Sequence, residues 1–69
     1  MEFIEKAGIR LEHWISHNEQ HEAEYEAFAT ELEENGKAES AAQIREMTEF
    51  SRKGTECLKK ALEELAAGK

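Results

Sequence analysis

Only one place in this 69-residue chain carries a strong helix stop, and it lies at the middle: "EENGK", residues 33–37. The chain has no proline, and Ala, Glu, Lys and Leu, all good helix formers, dominate it. Asn-Gly after a helical run ends a helix, because Gly36 accepts the left-handed conformation that other residues resist. Two helices are therefore expected, over about 2–34 and 38–66, with a turn at 35–37. A connection this short makes them antiparallel neighbours, an all-α two-helix hairpin filling one domain.

The apolar pattern supplies the seam. With Ile4 at heptad position a, the first helix has Ile4, Leu11, Asn18, Tyr25 and Leu32 at a, and Ala7, Trp14, His21 and Phe28 at d. Ile15 and Ala29 widen the stripe at e. The second helix has Ile44, Ser51, Leu58 and Leu65 at a, with Met47, Gly54 and Ala61 at d, flanked by Thr48, Thr55 and Leu62. Folding about Gly36 sets Phe28 against Ile44, Tyr25 against Met47, and Leu11 against Ala61. The polar interruptions then share a level, His21 with Ser51 and Asn18 with Gly54. Trp14 is expected in the core, with Gly54 accounted for by the room that large side chains or a ligand need opposite it.

Two helices bury one seam, and a chain this small hides only about 60% of its unfolded surface. A homodimer of hairpins forming a four-helix bundle is the expectation. Cys57 is the only cysteine, which excludes an intrachain disulfide and Cys-rich zinc modules. It is expected to be a small, partly buried apolar residue. The amino terminus, "MEFIEKAGIR", lacks the apolar run of a secretion signal. No stretch approaches the roughly 18 apolar residues of a membrane span. A reduced, cytoplasmic setting is expected, with the hairpin standing alone.

Net charge is −7, which disfavours nucleic acid and anionic membranes as partners. Residues 1–35 carry ten Glu against Lys6 and Arg10, a balance of −8, whereas residues 36–69 balance at +1. The acidic half favours a neutral or basic neighbour or a bound cation.

Chemistry concentrates in "LEHWISHNEQHEAEY", Leu11 to Tyr25, which holds all three histidines. On a helix, side chains at i and i+4 stand one turn apart on one face, a spacing that lets two imidazoles share a metal ion. His17 and His21 meet it, and so do His13 and His17. Successive fours drift by about 40°, so His13 and His21 differ by about 80° and one ion does not take all three. The favoured ligand set is His17, His21 and Glu24, with His13 facing solvent and Asn18 or Glu22 in support. Such donors suit Ni²⁺, Zn²⁺, Cu²⁺ or iron. In a symmetric dimer, His21 at d would meet its own copy.

The same residues carry a second reading. Polar side chains at a and d fix register and oligomeric state at a cost in stability. A layer of Asn18 and His21 bonded to Ser51 or Thr55 would do so without metal. Catalysis is not expected. No glutamate has a histidine three residues later, as di-iron carboxylate bundles require, and "HEAEY" places Tyr25 where a zinc protease needs its second histidine.

This stretch resembles the signature Leu-Glu-His-Trp-Ile-x-His-Asn-x-x-His-x-x-Glu-Tyr/Phe of a family of small uncharacterised helical-hairpin domains from anaerobic bacteria and archaea. Some members follow a small nickel-binding domain of the carbon monoxide dehydrogenase accessory type. The resemblance implies metal binding, nickel above all, a metalloprotein partner, and His13, His17, Asn18, His21 and Glu24 as the positions that matter.

Overall fold

A computed structural model of the chain describes residues 2–68. Helix α1 spans Phe3–Glu34 and helix α2 spans Ala38–Ala66, packed as an antiparallel pair with no strand among the described residues. At 1.5 Å per residue a helix of 32 residues is about 48 Å long, and the molecule measures 51 × 18 × 10 Å.

The turn is built as its sequence requires. Gly36 takes φ +77°, in the left-handed region. The Lys37 N–H donates to the Leu32 carbonyl at 2.8 Å, and the Gly36 N–H donates to Glu33 O at 3.0 Å. These two bonds form a Schellman cap, which satisfies carbonyls that the end of α1 would leave open. The Asn35 side-chain amide adds a bond to Glu31 O at 2.8 Å. Neither helix has a side-chain cap at its start, but Glu5 and Glu39 lie in the two first turns, where negative charge opposes the positive end of the helix dipole.

The helices meet on a different line from the expected one. Positions a and e form the seam. In α1 these are Leu11, Ile15, Asn18, Glu22, Tyr25, Ala29 and Leu32, all buried or half-buried. In α2, Ala41, Thr48 and Thr55 are buried at e, with Ile44, Ser51 and Leu58 half-buried at a. Most d residues are turned outward: Trp14 is 47% exposed and Phe28 50%, and Met47, Gly54 and Ala61 are exposed as well, whereas Ala7 and His21 are half-buried. Relative to an a/d seam, each helix is rotated by about 50°.

The residues at e explain the rotation. Ala29, Ala41, Thr48 and Thr55 are small, so the two backbones approach closely there. The fully buried Thr48 hydroxyl is satisfied within its own helix, donating to Ile44 O at 2.8 Å. On the flank beyond e, every b residue of α1 is glutamate: Glu5, Glu12, Glu19, Glu26 and Glu33. Across from them, α2 carries Arg45, Arg52 and Lys59 at b. Arg45 grips Glu33 with two N–H donors, at 2.9 and 3.3 Å, and reaches Glu26 at 3.4 Å. Lys59 Nζ lies 3.1 Å from Glu19. The rotation thus closes the charged flank and leaves the d flank open.

No described helix is long and apolar enough to cross a membrane.

Candidate metal-binding site on the first helix

His13, His17, His21 and Tyr25 form a ladder of rings along one side of α1. Stacked rings join His13 to His17, with centroids 5.9 Å apart, and His21 to Tyr25, at 6.0 Å. Between them, His17 and His21 meet edge to face at 4.4 Å. Their Nε2 atoms are 3.0 Å apart, and one ring's N–H donates to the other's lone pair. This contact follows from local geometry, since side chains at i and i+4 share a face and lean toward the helix N-terminus.

His17 is exposed, and His21 is half-buried at the edge of the seam. Glu24 lies on the far side of the His21 ring, its Oε2 3.6 Å from Nδ1. That exceeds hydrogen-bond reach, but it puts the carboxylate beside the nitrogen that does not face His17. His13 stacks on His17, 9° from parallel, without forming a three-residue ligand cluster with the pair. Asn18 is half-buried on the a line. Among the described residues, no three or more His, Cys, Asp or Glu side chains of the single chain come together to hold a metal ion.

The polar layer at the centre of the seam belongs to another residue. Glu22, only 6% exposed, accepts from the Ser51 hydroxyl at 2.6 Å and from Thr55 at 2.7 Å, both at Oε2. The partners expected for His21 are therefore taken by its neighbour in sequence. The level along the hairpin is the expected one, and the contact passes from His21 at d to Glu22 at e. Glu22 was readable as a seam residue from its place in the e row, seven residues after Ile15 and seven before Ala29. Its charge is what argues, at first sight, for solvent.

Other expected positions also differ. Trp14 lies on the open flank rather than in the core. Beyond its own stretch of helix, no atom of the described residues lies within 4 Å of where a Cβ on Gly54 would stand, so no described side chain across the seam accounts for this glycine. Cys57 is exposed rather than part-buried. The cleft beside Lys6, Ile9, Arg10, His13 and Trp14 is a surface groove, open to solvent.

Together these features define a class: an acidic antiparallel helical hairpin, sealed by ion pairs on one flank and bearing a histidine ladder beside an apolar opposite flank. The chain belongs to the family described as a domain of unknown function (DUF8180), whose profile matches residues 7–65. No curated protein and no solved structure matches the chain.

Proposed function

We propose that this hairpin is a metal-binding module, a binding rather than a catalytic protein, in which His17 and His21 hold a divalent first-row ion. The observation that carries the reading is the 3.0 Å separation of their Nε2 atoms. Two metal–nitrogen bonds of about 2.0–2.1 Å to atoms this far apart meet at roughly 91–97°. An angle near 90° suits the tetragonal geometries of Ni²⁺ and Cu²⁺, whereas tetrahedral Zn²⁺ needs the pair to open by a few tenths of an ångström. The similarity of Leu11–Tyr25 to the nickel-associated signature favours Ni²⁺ and a metalloprotein partner. Glu24, with Oε2 3.6 Å from Nδ1, would orient the His21 ring by closing that gap to a hydrogen bond when metal binds, as carboxylates do behind metal-bound histidine. His13 supports His17 by stacking.

In this reading two hairpins associate through their d flanks into a four-helix bundle, in a reducing, cytoplasmic setting where Cys57 stays a free thiol. The second reading, a metal-free interaction module whose central polar layer sets register, is favoured by the buried Glu22–Ser51–Thr55 cluster. Asn18 and His21 border that cluster.

Isothermal titration of tag-free protein with Ni²⁺ and Zn²⁺, beside His17→Ala, separates the two. His17 is exposed, so the substitution should leave helix content unchanged and abolish binding. Protein that binds neither ion overturns the metal reading.

A further inference from the structure

The His17–His21 pair supplies two ligands, while zinc sites take three or four from protein. No third donor of the same chain joins them among the described residues. An ion held by this pair would need further ligands, and three observations point to a source outside the hairpin.

First, the molecule exposes 5312 Å². A compact monomer of 7.9 kDa exposes about 4,400 Å². The excess, about 900 Å², matches the roughly 800 Å² that each partner buries in a standard stable interface. Secondly, the exposed large apolar residues include Trp14, Phe28 and Met47, all at d, with Phe3 and Phe50 beside them at g. Of the seven exposed large apolar residues described, these five lie on the d flank, while Ile4 at a and Ile9 at f lie off it. The opposite flank carries the ion pairs, so most of the surface available for burial is on one side. Gly54 is on this side with open space around its Cα, which permits close approach by another helix.

Thirdly, the pair lies at the middle of its helix. α1 runs from Phe3 to Glu34, so its midpoint falls between Asn18 and Glu19, inside the His17–His21 turn. A two-fold pairing of α1 with its copy over full length brings that turn opposite itself, whether the helices run parallel or antiparallel. In the antiparallel arrangement centred on His21, Trp14 of each chain lies at the level of Phe28 in the other. The d row is then matched by itself, aromatic to aromatic, around a histidine layer.

We infer that the occupant of the d flank is a second copy of this chain, and that the His17–His21 pairs of two copies form one four-imidazole metal site on the two-fold axis. This rests on the proposed role of the pair and adds the source of the missing ligands. It makes metal binding and dimerisation one linked equilibrium: the ion binds the dimer and not the single hairpin, and so stabilises the dimer by mass action.

The test is native mass spectrometry and sedimentation velocity of the full chain, titrated with Zn²⁺ and with Ni²⁺. Three proteins are compared: the parent, His17→Gln, and Trp14→Glu, which puts a charge on the d flank and keeps both histidines. The expected result is one ion per two chains in the parent and a dimer dissociation constant lowered at least 100-fold by saturating metal. In His17→Gln the metal effect disappears while circular dichroism stays at the parent's helix content. In Trp14→Glu, provided its helix content matches the parent's, ion affinity falls at least 100-fold although the pair is intact. One ion per chain, on monomers or on dimers, overturns the shared site and leaves the proposed function standing. Protein that binds neither ion overturns both.

Discussion

Thr55 donates its hydroxyl across the seam to Glu22, Oγ1 to Oε2 at 2.7 Å, and Ser51 donates to the same oxygen at 2.6 Å. One carboxylate at the centre of α1 thus ties two successive turns of α2. A charge this buried is tolerable only while its donors are present, because an uncompensated buried ion is costly. Hydrogen bonds to charged groups contribute about 1.5–3 kcal/mol each. Thr55→Val should therefore destabilise the fold by about 1–3 kcal/mol in urea denaturation. Combining Glu22→Leu, Ser51→Ala and Thr55→Val removes the whole cluster and should recover that loss or exceed it. A Thr55→Val protein as stable as the parent would show that the Thr55 bond contributes nothing and leave Ser51 as the donor that matters.

Glycines in different settings should respond oppositely to alanine. At Gly36 the backbone is left-handed, which costs a residue with a Cβ roughly 1–2 kcal/mol. Gly36→Ala should lower stability by about that amount. At Gly8 the backbone is helical, and an added Cβ would meet Leu62 Cδ1 at 3.9 Å, an ordinary contact. Gly8→Ala should raise stability by about 1 kcal/mol through helix propensity alone. Thermal denaturation of both variants checks the pair of signs.

The ion pairs on the closed flank predict a pH profile. The hydrogen bond from Arg45, and then its charge, holds the Glu33 carboxyl below its usual value. A carboxyl lowered on folding adds stability that is complete above its unfolded value, about 4.3, and lost as pH falls through the folded one. The hydrogen bond and charge of Glu19 raise Lys59. That contribution is complete below about 10.4 and lost as pH rises through the raised value. Arg45→Met should therefore narrow its deficit relative to the parent in acid, and Lys59→Met should narrow its deficit in strong base. Both deficits should be small and shrink in 1 M salt, since the pairs are solvent-exposed. A deficit for Arg45→Met that is the same at pH 7 and in strong acid would assign it to packing instead.

Trp14 reports on the open flank. It is the only tryptophan and nearly half exposed in the hairpin. Its fluorescence should be red-shifted and readily quenched by iodide at high dilution, and should shift to the blue as concentration rises. Emission that does not change with concentration, while sedimentation reports dimer formation, would place the interface elsewhere.

Much of the candidate site was legible in the sequence. The contact between His17 and His21 depends only on helical spacing, and both lie where i and i+4 put them. Glu22 was legible only by its position in the e row; its burial was not, because a carboxylate reads as a solvent residue until Ser51 and Thr55 are known to stand over it. Trp14 was misplaced for the converse reason: a large aromatic in an apolar stripe reads as core.

By itself the sequence determined two helices, the place of the turn and the antiparallel order, because those rest on local terms. They are helix propensity along each run, one glycine able to take a positive φ at 36, and a connection too short for any other path. Only the tertiary structure decided which edge of the stripe closes. Positions d, a and e all carry apolar residues, so periodicity alone leaves an a/d and an a/e seam nearly equivalent. The choice is made when the helices meet. Small residues at e permit close approach, Glu22 finds two hydroxyl donors, and the glutamates at b find Arg45, Arg52 and Lys59. Each of these terms couples residues from different helices, and none exists until the chain has folded back on itself.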